Sequence, residues 1–445
     1  MFERFRSRAP ALSGYLLLVL CLWGVFQTNL GGIAPRDFFD TFQLNGQARV
    51  LGGLVATDLG LDKQGANMGK VHVGEVLDEE TSVTDTYRAF AEGPAAAHAE
   101  GLHFAAYPTH FGLQEVVYAF LRDHTPLKTL WLLQLVPSGL TALVLVALFR
   151  SYRSIFDLKF SLLFFLSLAL SPWFIAFARN LYWNPFLLLL PGLFAALMYR
   201  ETRPWARRGW LLAIGVAMLV KCLTNYEYIT CVALLAAAVF LAGPFFDKSN
   251  PSPRPDIRTA TLVMLICIGA FAVAFLIHAG SRGDTLLAGI RDIYAQDIAR
   301  RTYGDASQFA GEAGQSLGAS PLDVLRIYLF EWPDRRRMLL PGKAFLGLLA
   351  IALAGLAWMF ATRHPHRFRN FWLSAAYAAV PLSWYILAKG HSFTQTHLNF
   401  VLLYFGLIPV VLYLSFDVLI AIFERRGAIR ARLGFGRSPG TGPSL

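Results

Sequence analysis

Long apolar runs joined by short polar segments make up most of this chain. A bilayer core of about 30 Å needs roughly 17 to 25 mostly apolar residues per helix. The pattern therefore predicts ten membrane-spanning helices, at residues 11–29, 128–149, 159–178, 183–199, 209–224, 227–246, 259–279, 341–361, 371–388 and 396–423. The segment KCLTNYEY breaks the apolar pattern between the fifth and sixth. It holds Lys221 and Glu227 near membrane depth, where a carboxylate needs a partner.

Between the first two spans, PRDFFDTFQLNGQARVLGGLVATDLGL sets Phe38, Phe42, Leu51, Leu54 and Val55 on one face of a helix lying along the interface. The Gly- and acid-rich stretch that follows, from Lys63 to Gly101, reads as loop with short helices. A second excursion, after the seventh span, contains LLAGIRDIYAQDIARRTYG and SPLDVLRIYLFEW, both helical in period, the latter opened by a Ser320-Pro321 cap. No internal repeat is visible, which weakens a transporter built from inverted halves.

Composition agrees with the pattern: of 445 residues 55% are hydrophobic and only 16% charged. The expected fold class is an all-α polytopic membrane protein. It forms a single membrane domain over 1–423 with external loops 30–127 and 280–340, then a basic, disordered tail over 424–445. Charge sets the orientation. With the N-terminus inside, the short inner segments hold 21 basic residues against six acids, so that side carries +15 and the rest of the chain −4 of the overall +11. Both termini are then cytoplasmic, and the basic balance is a topology signal with no nucleic-acid partner implied. The start, MFERFRSRAPALSGYLLLVLCLWGVF, reads as an uncleaved signal anchor. Cys21, Cys222, Cys231 and Cys267 fall in or beside apolar runs and read as small buried hydrophobes.

The candidate chemistry gathers on the external side. Eight of ten histidines belong there: His72, His98, His103, His110, His124, His278, His391 and His397. None shows the spacing of a zinc helix, and a divalent metal is left open. Asp37 and Asp40 lie just past the first span, three apart and so on one helical face, where a carboxylate can act as general base; pairing with Arg36 or helix capping is the plainer reading. The segment KGHSFTQTHLNF joins two apolar runs. If the last helix starts at Thr394 or Thr396, its N-terminus with Lys389, His391 and His397 forms an anion cradle suited to phosphate. An interfacial anchor would carry the same residues.

The first external loop, opening with an acid and closing on YPTHFGLQEVVYAFL, resembles that of the GT-C glycosyltransferases, a class that includes the lipid A aminoarabinose transferases and the protein O-mannosyltransferases. SPWFIAFARNLYWNPFLLLLPGLFAALMY is similar to their third-to-fourth helix hairpin, with Arg179 near the external turn. The resemblance covers about the first 200 residues. Two departures stand out: the usual acidic pair is split, Asp37 from Asp40 by two Phe, and FGL replaces PPL at Phe111 to Leu113.

The resemblance implies an inverting transferase that moves a sugar from a polyprenyl-phosphate donor to a glycan, lipid or protein acceptor. Its site would face the periplasm from a bacterial inner membrane, among membrane lipids. Asp40 or Asp37 would take the acceptor proton and Arg179, Lys389, His391 and His397 would hold the leaving phosphate. Lys221, Glu227, His103 and His110 would support them. The alternatives are a polysaccharide polymerase or O-antigen ligase using pyrophosphate-linked donors, a lipid-sugar flippase or transporter, and a structural partner in an envelope complex.

Overall fold

Helices occupy every stretch in which the apolar runs predict one. The computed structural model describes residues 9–74, 78–93, 101–331 and 342–432, and it is 76% helical. The chain opens with α1 (Ala9–Thr28), α2 (Arg36–Thr41), α3 (Leu44–Leu59), β1 (Gly69–Val73), α4 (Glu79–Glu92), β2 (Leu102–Ala106) and α5 (Leu113–His124). It continues through α6 (Leu130–Tyr152), α7 (Leu158–Ala169), α8 (Pro172–Ala178), α9 (Phe186–Arg200), α10 (Pro204–Thr224), α11 (Ile229–Ala242) and α12 (Ile257–Arg282).

A second loop region holds α13 (Leu286–Ile293), prolonged by a wide turn to Arg301, then α14 (Gly311–Gly318) and α15 (Pro321–Arg326). Next come α16 (Gly342–Ala361), α17 (Arg367–Leu387), the short α18 (Lys389–Thr394), α19 (Thr396–Asn399) and α20 (Val401–Tyr404), and finally α21 (Leu407–Arg432). Helical backbone thus enters the tail expected to be disordered; residues 433–445 lie outside the described residues.

Among the described residues four helices are long and apolar enough to cross a bilayer: α6, α11 with the turn that prolongs it to Phe246, α12 and α16. Two bent pairs raise the number to six, α7 with α8 at 65° and the Thr396–Tyr404 segment with α21 at 40°. Of the other predicted spans, α9 has 15 residues, about 22 Å of helix and so shorter than the hydrocarbon core. Each bend has a local cause. Ser171 caps α8 with Pro172 in its first turn, which suits a new helix start and not the continuation of α7. At the second bend α17 passes so close that a Cβ on Gly406 would stand 1.9 Å from the Tyr377 carbonyl oxygen.

Inside the bundle, Tyr152, Phe160, Phe164, Tyr377 and Tyr413 pack ring against ring. Beside them Asp417 takes Arg369 at 2.8 Å, Asn370 at 2.7 Å and the Lys159 ammonium, so a charge among the apolar runs is matched from two other helices.

The fold is mostly helical, as an all-α membrane protein would be, but the first loop region, expected to be loop with short helices, also holds a two-stranded ribbon. β1 and β2 pair antiparallel with His72 opposite His103. Lys70-Val71-His72-Val73 alternates with the period of two that a strand requires. The Thr86 hydroxyl of α4 bonds both the N–H and the carbonyl of Val71, each at 3.0 Å, and so covers the outer edge of β1. On the other side α3 comes down onto the ribbon through Gly52, where a Cβ would meet the Gly69 carbonyl oxygen at 2.3 Å.

Candidate functional site

The polar break between α10 and α11 contributes Glu227 to a large cavity at this end of the bundle. Lys221 turns back to donate to the Asn225 carbonyl at 2.8 Å and to its side-chain oxygen at 2.5 Å, which stabilises the end of α10. Tyr228, at φ 66°, starts α11 in the left-handed region. Between them Glu227 is turned inward and is only 4% exposed. Its Oε1 accepts from His110 Nε2 at 3.0 Å and faces an Arg301 guanidinium nitrogen at 3.6 Å; Oε2 has no hydrogen-bond partner among the described residues.

Burial alone would raise the Glu227 pKa, but the His110 hydrogen bond and the charges of His110 and Arg301 hold it well below the usual carboxylate range. For His110 burial prevails and the imidazole pKa falls. A second imidazole lies next to this pair: His278 Nε2 donates to the Pro108 carbonyl at 2.9 Å, so its Nδ1 accepts from the Tyr226 hydroxyl at 3.0 Å.

Glu227 lines a cavity of about 770 Å³ walled by four separate parts of the chain. The start of α3 contributes Gln43 and Arg49, the strand exit Tyr107, the second loop region Arg300, Arg301 and Glu312, and the α18–α19 segment His391 and His397. Arg49 lies 3.8 Å over the Tyr107 ring and 3.7 Å from Glu79. Gly390 lets α18 press on the second loop region, since a Cβ there would stand 2.9 Å from the Arg300 carbonyl oxygen. This size and polar lining suit a sugar phosphate, with a carboxylate below and guanidinium groups around it.

The residues singled out from sequence divide between places. Asp40 lines a separate cavity of about 230 Å³ with Arg179, Gln47, Tyr87 and Gln134. Both its oxygens are paired, to Arg36 at 2.7 Å and to Arg179 at 3.3 Å. Asp37 is exposed in the first turn of α2. His103 sits exposed on β2, its ring 5.6 Å from that of His72 and away from the cavity. His110 belongs to the Glu227 pair.

Lys389 corrects the anion-cradle expectation. It is 7% exposed and donates to the Leu317 and Ala319 carbonyls at 2.6 and 2.7 Å, which occupies it with the last turn of α14. Nor does a long helix start at Thr394 or Thr396: the segment is broken into single turns, and α19 follows Gln395 without a side-chain cap. His391 and His397 do face the cavity. Burial, with help from Arg301, pushes the His391 pKa down to about 3, so it offers a hydrogen bond without a charge. His397 Nε2 lies 3.4 Å from the Gln43 amide nitrogen.

Sequence reading missed Arg49, Tyr107, Arg300 and Arg301. The adjacent arginines in IARRTYG were the available signal, since two charges at the end of an external helix need a reason to be there. Among the described residues no three His, Cys, Asp or Glu side chains come together to hold a metal.

The class that fold and site define is a mostly helical protein with four to six apolar helices able to cross a membrane and a polar, charge-lined cavity at one end. No protein-family profile, no curated protein and no solved structure matches the chain.

Proposed function

We propose that this protein is an inverting membrane glycosyltransferase. It moves a sugar from a polyprenyl-phosphate donor to an acceptor hydroxyl of an envelope glycan, lipid or protein, in the Glu227 cavity on the periplasmic face of a bacterial inner membrane. The observation that carries the reading is the buried Glu227 carboxylate, one of whose oxygens has no hydrogen-bond partner among the described residues, in the lining of a 770 Å³ cavity that also takes in Arg49, Arg300 and Arg301.

Glu227 Oε2 takes the acceptor proton as the acceptor oxygen bonds to the anomeric carbon. The bond from that carbon to the donor phosphate breaks on the opposite face, which inverts the configuration. Arg49 and Arg300, with the ring N–H of His397, stabilise the departing phosphate. Arg301 and His110 keep Glu227 ionised before the proton arrives. Asp40 has both oxygens already paired, and its cavity with Arg179 is separate from this one.

Mass spectrometry of the lipid that copurifies with the protein tests the donor class. A polyprenyl monophosphate bearing one sugar is expected, and a pyrophosphate-linked oligosaccharide would replace this reading with a polymerase or ligase. Transfer from that lipid should stop in Glu227→Gln while the lipid is still retained. A Glu227→Gln protein that transfers at the wild-type rate would remove Glu227 from the chemistry.

A further inference from the structure

A second large cavity lies at the other end of the bundle. It has a volume of about 800 Å³ and opens between three interhelical turns: α6 to α7, α11 to α12, and α16 to α17. The α6 helix separates the two ends, with Leu130 lining the Asp40 cavity and Arg153 following its last turn. Its 23 residues make about 35 Å, the thickness of a bilayer core.

Five basic side chains line this cavity against two acids. Asp157 is engaged inside the fold, whereas Asp247 is exposed and bonded within its own turn. Asp157 caps α7 through Phe160 N–H at 2.8 Å and accepts from the Tyr413 hydroxyl at 2.7 Å. Asp247 accepts from the Ser249 N–H and hydroxyl at 2.9 and 2.6 Å. Among the bases, Arg369 answers to Asp417, and Arg367 caps the carbonyls of Arg363 and His364.

Lys248 and Arg254 differ: among the described residues neither makes a hydrogen bond or ion pair, and both line the cavity. They sit on one turn, Asp247 to Asp256, across from the start of α17. That helix begins without a side-chain cap; its Arg367 N–H is taken by the His364 carbonyl at 3.1 Å, and the next two N–H groups have no side-chain partner among the described residues. Phe245, Phe246 and Phe368 supply apolar wall beside the charges.

We infer that this cavity binds a phosphate group, held by Lys248 and Arg254, with the aromatic wall taking the apolar part of a lipid that carries it. The inference is independent of the transferase reading, since none of its residues belongs to the Glu227 cavity. Two sources share the chemistry, the phosphodiester headgroup of an anionic lipid and free inorganic phosphate.

Purified protein in nanodiscs of dioleoylphosphatidylglycerol or dioleoylphosphatidylcholine tests it, with bound lipid counted by native mass spectrometry and thermal unfolding followed in parallel. Wild type is expected to retain the anionic lipid about tenfold better and to unfold at higher temperature with it. Lys248→Gln with Arg254→Gln should lose most of that preference. Arg207→Gln with Arg208→Gln removes the same charge from the first turns of α10, outside the cavity lining, and should keep it.

Equal losses in the two double variants would mean diffuse surface charge and overturn the site, as would no loss in either. Displacement of the lipid by millimolar inorganic phosphate assigns the site to free phosphate, and retention of the lipid assigns it to the headgroup.

Discussion

Two carboxylates at one end of this molecule invite the same role and are built in opposite ways. Asp40 is exposed, reached by solvent, and saturated by Arg36 and Arg179. Glu227 is almost wholly buried, shares one oxygen with His110 and Arg301, and keeps the other free. A paired surface acid gains little from its partners because water screens both. A buried one has its charge state set by the few groups that touch it. The lesson is that distance from the membrane surface and closeness to a span say less about a base than where its second oxygen points.

The sharpest way to break this comparison is to neutralise each acid in turn. Glu227→Gln should lower turnover by about 10² to 10⁴ with the donor still bound, the range for losing a general base. Asp40→Asn should change turnover by less than about tenfold, because its charge serves an exposed pair. The reverse ranking, measured with the copurifying donor lipid, would transfer the role to Asp40 and its smaller cavity.

Arg301→Gln should act through Glu227. With that charge gone the carboxylate pKa rises, so the acid limb of the pH–rate profile should move to higher pH. A limb that stays in place would show that Arg301 does not control the ionisation.

Stability should depend on pH through His391. Its folded pKa, about 3, lies below the ordinary 6.5, so the unfolded chain binds more protons between those values and stability falls as pH drops through that window. Each unit costs at most about 1.4 kcal/mol. His391→Gln should flatten the melting temperature between pH 6.5 and 4, and an unchanged slope would assign the effect to His110 or elsewhere. The smallest effect is expected from Arg36→Ala, which removes an exposed pair on one helix turn and should cost about 0.5 kcal/mol or less by chemical denaturation. A cost of several times that would mean the Asp40 cluster is held far more tightly than its exposure implies.

The helices were legible because an apolar run of bilayer length has few other uses in water. So was the NYEY break, since Lys221 and Glu227 cannot sit in hydrocarbon without partners. What escaped reading was convergence. Arg49, Tyr107 and Arg301 come from segments far apart in the chain, and nothing local to any of them says they share a wall. Lys389 shows the same limit from the other direction. Among hydroxyls and histidines it looked like a ligand-binding cation, but its partners are two carbonyls more than sixty residues earlier in the chain, which only the folded chain brings near. The hairpin escapes a sequence reading because four alternating residues, KVHV, are a short signal inside a Gly- and acid-rich stretch that reads as loop with short helices.

That lysine has a mechanical meaning. Lys389 fastens the end of α14, and the next residue, Gly390, lets α18 rest directly on the Arg300 backbone. Two walls of the Glu227 cavity, drawn from loops on either side of α16 and α17, are therefore riveted to each other at one point, while α3 and the β-ribbon stand on the opposite side.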